Sequence, residues 1–173
     1  SPDILHKTDV GGVKVGLQND EQLRDAFELM TYRANRYLPE ARLWGCLVQE
    51  MVPGGLEVLV GMNRDPQFGP LVTFGLGGIY VETLKDVTFR IAPFSQQEAQ
   101  LMMKEIRASA LLDGVRGQPA VDKDAIVDTL LRIGQLVQDF PEILELDINP
   151  LMVFSKGQGA IAIDMRLVLD KES

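Results

Sequence analysis

His6 is the only histidine in the 173-residue chain. It stands in Ser1-Pro2-Asp3-Ile4-Leu5-His6-Lys7-Thr8-Asp9-Val10-Gly11-Gly12-Val13, beside a lysine, two aspartates and a hydroxyl. Imidazole titrates near neutrality, so it can act as a base, a nucleophile or a phosphate carrier. The Gly11-Gly12 pair that follows lets backbone N–H groups approach an anion closely. Taken alone the stretch reads first as a capped, solvated loop, with phosphate chemistry as the sharper alternative. Near the other end, Asp147, Asn149 and Asp164 put hard oxygens on facing strands of one predicted hairpin. Such donors suit Mg2+, which takes oxygen ligands at roughly 2.0–2.1 Å and usually shares them with substrate phosphates. A carboxylate plus an amide leaves the ion enough charge to neutralise a nucleotide's phosphates. Glu145 and Asp147 also fit an ordinary solvated strand face. Asp164, among Ile161, Ala162, Ile163 and Met165, fits that description less well.

The elements that must position these residues follow from hydrophobic period and punctuation. Residues 13–17 alternate and predict a short strand. Asn19 or Asp20 caps a helix over 21–37 whose apolar face is Leu23, Ala26, Phe27, Met30 and Ala34, and Pro39 stops it. Residues 43–51 form a continuous apolar run that predicts a strand buried on both faces, with Cys46 in the core. Strands are expected at 56–62, 71–74 and 86–91, and helices at 96–108 and 123–140, separated by a loop over 111–119. The last section predicts a strand over 143–149, broken at Pro150 and continued to Phe154, then a hairpin loop and a return over 160–166 carrying Asp164. The fold class is α+β.

Composition narrows the function. Hydrophobic residues at 46% and charged ones at 24% are those of an ordinary globular chain. A net charge of −8 argues against nucleic acid or an anionic membrane as partner, since either needs a basic surface. An anionic nucleotide is not excluded, because glycine loops, a few cations and a metal act locally. One cysteine forms no internal disulfide, which fits a cytoplasmic protein. No apolar run approaches the ~20 residues that span a bilayer, and there is no signal-peptide pattern. The chain opens on Ser-Pro without a methionine and is expected to be a fragment.

Leu146-Asp147-Ile148-Asn149-Pro150-Leu151, followed by Ala162-Ile163-Asp164, resembles the C-terminal part of the ATP-grasp domain in NDP-forming acyl-CoA synthetases. So does Phe68-Gly69-Pro70 leading to Phe74-Gly75-Leu76-Gly77-Gly78-Ile79 and Glu82, and so does the opening stretch around His6. The resemblance runs through the whole chain in order. It is nearest the ATP-grasp (β) part of ADP-forming acetate–CoA ligases, relatives of succinyl-CoA synthetase. It implies an ATP-grasp fold with a partial lid subdomain over 1–48 and a C-terminal mixed-sheet subdomain over 49–173. It also implies phosphoryl exchange between ATP and a histidine of a CoA-binding partner part, in the same chain or in another subunit, with ATP or ADP and Mg2+ here and CoA on the partner.

Residue by residue, the resemblance makes Asn149 and Asp164 the Mg2+ ligands and Asp147 the acid that steadies a phosphohistidine. Glu50, with Met51 and Val52, falls beside the adenine, and Glu57 reaches the ribose or the metal. Gly77, Gly78 and Glu82 form a loop close to the terminal phosphates, and His6 is a second phosphate carrier. In the family a strand bearing a phosphate-contacting lysine precedes the His-Lys-Thr-Asp loop. That strand is absent here, so the fragment is expected to bind ATP weakly and to have little ligase activity alone. Two other readings stand beside this one: the ligase-like regulatory region of a fused protein acetyltransferase, and another ATP-grasp CoA ligase of the succinyl or malyl type.

Overall fold

The computed structural model describes residues 1–4, 7–78, 84–115 and 117–170. They fall into two compact units, residues 1–53 and 54–173.

The first unit has a 3-10 turn, Lys7–Val10, and one helix, α1, Asp20–Tyr37. The helix starts where its cap dictates: Asn19 is extended and its side chain accepts from the Gln22 N–H at 2.9 Å, with Asp20 and Glu21 in the positively polarised first turn. It ends before Pro39, which disfavours helical geometry in the residue preceding it. Ala26 and Ala34 are buried, while Phe27 on the predicted apolar face is largely exposed. The Asp3 carboxylate accepts from the Arg42 backbone N–H at 2.8 Å and from its guanidinium at 3.0 and 3.1 Å. These bonds hold the Asp3 carboxyl below the usual aspartate range.

Two predicted strands are not formed in this unit. Residues 13–17 and 43–51 are irregular, and among the described residues of the unit none joins a β ladder. An alternating or apolar run becomes a strand only where a second strand satisfies its backbone groups, and neither run finds one. Cys46 is accordingly exposed rather than in the core, between Trp44 at 81% and Leu47 at 84% exposure.

The second unit is a six-stranded sheet with helices on one face. Its strands are β1 (Leu56–Asp65), β2 (Gly69–Leu76), β3 (Val87–Ile91), β4 (Ile143–Val153), β5 (Ala160–Ala162) and β6 (Met165–Leu169). Among the described residues its α-helices are α2 (Gln96–Glu105) and α3 (Lys123–Asp139). The order is β3-β2-β1-β4-β5, with β6 also paired to β4. Among the described residues every pairing is antiparallel, where a mixed sheet was expected. Three residues join β1 to β2 with Asp65 Oδ1 accepting from the Gln67 and Phe68 N–H groups, a tight hairpin that reverses the chain direction.

Period two in the strands decides what is inside. Val58, Val60 and Met62 of β1 and Val72, Phe74 and Leu76 of β2 are fully buried, as is Val153 of β4, and Leu146, Ile148 and Leu151 are nearly so. They pack on Ala99 and Met102 of α2 and on Ile126, Leu130, Ile133 and Val137 of α3. A Ser95–Glu98 capping box starts α2. This helix stops at Glu105 rather than continuing to 108, because the buried Asp86 carboxylate takes the Arg107 and Ala108 N–H groups at 2.8 and 2.9 Å. A 3-10 turn, Ser109–Asp113, then occupies the start of the predicted loop.

Three further details differ from the sequence reading. Pro150 does not break β4: the strand runs through it, with a register shift against β1 between Val58 and Val60. A proline is tolerated where its missing N–H falls at an irregularity of the ladder. The return from the hairpin loop is two strands rather than one, and Asp164 sits in the bend between β5 and β6. Finally, Asp122 both caps α3 and grips the hairpin turn, accepting from the N–H groups of Ala125, Gly157 and Gly159 at 3.2, 2.9 and 2.8 Å.

Leu130→Ala is expected to cost about 2–5 kcal/mol in urea unfolding of the chain, as for other fully buried leucines. Asp122 gives a pH signature. Its carboxyl is held below the ordinary aspartate value, chiefly by the Gly159 N–H and then by that of Ala125. A depressed folded-state value stabilises above the unfolded one and is lost as pH falls through the acidic range. Acid titration of the unfolding midpoint should therefore show a loss that Asp122→Asn diminishes.

Candidate functional site

The sheet face opposite the helices carries the polar positions. On β1 it presents Glu57, Leu59, Gly61 and Asn63; on β4 Glu145, Asp147 and Asn149. Register fixes their neighbours: Gly61 lies opposite Asp147, and Asp147 lies opposite Arg166 of β6. A Cβ on Gly61 would stand 3.7 Å from Asp147 Oδ1, an ordinary van der Waals contact.

Backbone hydrogen bonds bring Asn149 and Asp164 together. The Asn149 N–H donates to the Asp164 carbonyl at 3.1 Å, and the Ile163 N–H donates to the Pro150 carbonyl at 3.0 Å. Asp164 Oδ1 accepts from the Met165 N–H at 3.1 Å. The bend that interrupts the last strand thus sets the Asp164 main chain beside Asn149, and its carboxylate lies within electrostatic range of Asp147. Burial pushes the Asp147 carboxyl above the usual range; Arg166 opposes that rise and Asp164 adds to it. Arg166 approaches Glu145 at 3.6 Å, both side chains about half exposed. A pair that long and that solvated contributes about 0.2–1 kcal/mol.

The donor set fits Mg2+. Asn149 offers an amide oxygen and Asp164 a carboxylate, and this ion is usually held by one or two carboxylates plus substrate phosphates. Among the described residues, no group of three or more His, Cys, Asp or Glu side chains could hold a metal. The remaining ligands would be phosphate or water oxygens.

A second polar cluster lies farther along β1. The Gly77 N–H donates to the Glu57 carbonyl at 2.8 Å. A Cβ on Gly77 would stand 2.9 Å from the Glu57 Cβ and 3.2 Å from its carbonyl, so only glycine fits without movement. Gly78 has φ +60 and Glu57 Oε2 lies 3.7 Å from where its Cβ would be. Glu57 therefore stands against the glycine loop, roughly 13 Å along the strand from Gly61 at ~3.3 Å per residue.

The first unit holds the other candidates. The Gly11 and Gly12 N–H groups donate to the Thr8 and Lys7 carbonyls at 3.0 and 2.7 Å, so they close the 3-10 turn and are already engaged. Glu50 and Met51 are exposed and Val52 is partly buried, in the irregular segment before Pro53. A cleft of about 510 Å³ in this unit lies between residues 11–17 and α1, lined by Lys14, Asp25 and Arg33 among others. His6 and Glu82 lie outside the described residues.

Sequence reasoning passed over Arg166, which the register sets opposite Asp147. The signal for Arg166 was its spacing, two residues beyond Asp164 on an extended chain. Its pairing with Asp147 depends on the register of β4 and β6, which no local pattern contains.

Comparison with known proteins gives a consistent picture. A family model described as ATP-grasp domain matches residues 1–169. The chain is 50% identical over 169 residues to acetate–CoA ligase (ADP-forming) I subunit beta of Pyrococcus furiosus, covering 98% of this chain and 72% of that one. It is also 50% identical over 172 residues to acetate–CoA ligase (ADP-forming) I of Archaeoglobus fulgidus, covering 99% of this chain but 25% of that longer protein. The dinucleotide-forming acetyl-coenzyme A synthetase 1 of Ca. Korarchaeum cryptofilum, solved with coenzyme A, Ca-AMPCP and HgCl+, superposes with a TM-score of 0.93 at 46% identity, over 98% of this chain and 73% of that one. Another structure of that protein, with coenzyme A and Mg-AMPPCP, has its phosphohistidine segment pointing towards the nucleotide binding site; the TM-score is 0.83 at 44% identity, over the same 98% and 73%.

Gly77→Ala tests the Glu57 contact. Forcing a methyl against backbone should cost about 1–3 kcal/mol in thermal or urea unfolding, whereas Gly117→Ala, where no atom lies within 4 Å of the new carbon, should carry only the strain of its positive φ.

Proposed function

This chain belongs to the ATP-grasp domain family, and from that premise we propose that it is the nucleotide-binding part of an ADP-forming acyl-CoA ligase of the acetate–CoA ligase kind. The observation that supports the reading most is the backbone bond between Asn149 and Asp164, which joins an amide-bearing and a carboxylate-bearing residue, with Asp164 within electrostatic range of Asp147. In this reading a phosphoryl group passes between ATP and a histidine of a CoA-binding partner part, fused or in another subunit. Relatives of both forms support that: a separate beta subunit and a chain about four times as long.

Phosphoryl transfer is mainly positioning and charge neutralisation, so these residues need to hold oxygens rather than supply covalent chemistry. Asn149 and Asp164 would hold Mg2+, whose charge draws electron density from the transferring phosphate. Asp147 would accept a hydrogen bond from the imidazole of the incoming histidine and keep it aimed. Glu57, with Gly77, Gly78 and Glu82, would border the phosphates. Glu50, Met51 and Val52 would line the adenine, and Gly11 and Gly12 would shape the loop on which His6 acts as a second carrier. The unit ending at Pro53 then belongs to the lid, and the unit beginning at Gly54 is the C-terminal subdomain. A cytoplasmic setting is part of the proposal; it rests on the single unpaired cysteine and on the absence, among the described residues, of any helix long and apolar enough to cross a membrane.

The test uses the complete ligase and γ-labelled ATP. Acid-labile, base-stable label on protein is expected. Asn149→Ala and Asp164→Ala should abolish both labelling and Mg-nucleotide binding while circular dichroism stays unchanged. Equal labelling and turnover in His6→Ala would remove the relay role. Wild-type enzyme that never takes up label would overturn the whole reading.

A further inference from the structure

The acidic end of the open sheet face carries a cation that the assignments above leave unused. That cation is the guanidinium of Arg166, near Glu145 and within electrostatic range of Asp147, and Asp147 in turn feels the charge of Asp164. Arg166 faces Asp147 directly across the β4–β6 ladder and reaches Glu145 diagonally. Neither arrangement occupies it: the approach to Glu145 is 3.6 Å, beyond a good hydrogen bond, and more than half of the side chain is solvent-accessible. Its backbone is nevertheless fixed, two residues beyond the Asn149–Asp164 bond on a strand in regular register.

A phosphoryl group carrying negative charge on three oxygens would meet repulsion from those carboxylates. A metal held by Asn149 and Asp164 offsets part of that repulsion, on one side of the group. An arginine presents a planar fork that fits two phosphate oxygens and stays charged at every working pH. We propose, resting on the reading of phosphoryl transfer to a histidine, that Arg166 binds the phosphoryl group in transit, releasing Glu145 to fork onto two of its oxygens.

The step balances without a proton on Arg166. The bond between the γ-phosphorus and the β–γ bridging oxygen breaks, and its electron pair stays on ADP. The lone pair of the partner's imidazole nitrogen forms the new N–P bond. Arg166 gains and loses nothing; it neutralises the equatorial oxygens as the charge redistributes, and does the same in the reverse direction. Because it touches only the group that moves, it distinguishes ATP from ADP.

Arg166→Gln and Arg166→Lys in the complete ligase test this. Single-turnover labelling from γ-labelled ATP should slow about 10²-fold in Arg166→Gln, the loss typical of one preorganised donor. Arg166→Lys should recover part of it as a point charge. Calorimetric affinity for Mg-AMPPCP should fall in Arg166→Gln, while affinity for Mg-ADP and the melting temperature stay at wild-type values. Labelling at the wild-type rate in Arg166→Gln overturns the inference and leaves the phosphohistidine reading standing. Equal loss of Mg-ADP and Mg-AMPPCP binding, or a lowered melting temperature, overturns it in favour of a structural role. Wild-type enzyme without label overturns both.

Discussion

The antiparallel pairing of β1 with β4 determines which side chains share a surface in residues 54–173. It puts Gly61 against Asp147 and Glu57 against Met152, and it turns the valines and Met62 of β1 inward with Leu146, Ile148 and Leu151. A slip of one residue would exchange those sets, sending carboxylates under the helices and aliphatics to water. The buried aliphatics forbid the slip, since each fully buried side chain is worth about 1.5–3 kcal/mol. The polar face is therefore positioned by the apolar one. The register shift beside Pro150 adds a local irregularity where Asn149 leaves the regular ladder and meets Asp164.

An acidic protein that handles phosphates must solve a local charge problem, since the chain carries eight more negative than positive groups. The solution in this fold is spatial. Asp147 and Asp164 lie within electrostatic range of each other, and Arg166 stands near Asp147 and Glu145. At the other end of β1, backbone and glycines take over, with Glu57 against the Gly77 amide. The partly buried Asp147 pays for its place in a raised proton affinity, which Arg166 moderates.

Much of the second unit was legible in the chain because its signals are local. The helices expected over 96–108 and 123–140 and the strands expected over 56–62 and 143–149 all form, with shifted ends. The Asp147, Asn149 and Asp164 trio was legible as oxygen donors on adjacent strands. What local pattern cannot carry is the presence of a partner. Residues 13–17 and 43–51 have the composition of strands, yet without a neighbour to bond they stay irregular and Cys46 faces solvent. Pro150 read as a stop because the rule concerns the N–H it lacks, and at a bulge that N–H is not needed. Arg166 stayed invisible because its meaning arises only across a ladder. The α+β class was legible from local signals; only the expectation of a mixed sheet differs, since the long-range β1–β4 pairing is antiparallel too.

The bend at Ile163 and Asp164 has a consequence for how such a site persists through sequence drift. Its position is written in main-chain bonds, Asn149 to Asp164 and Ile163 to Pro150, rather than in side-chain packing. The neighbouring Ile161 and Met165 are about half exposed and hold little of the shape. Variation at those flanks can therefore accumulate at small thermodynamic penalty while the carboxylate keeps its address. Divergent descendants of this chain would then differ most around the aspartate and least in where it points.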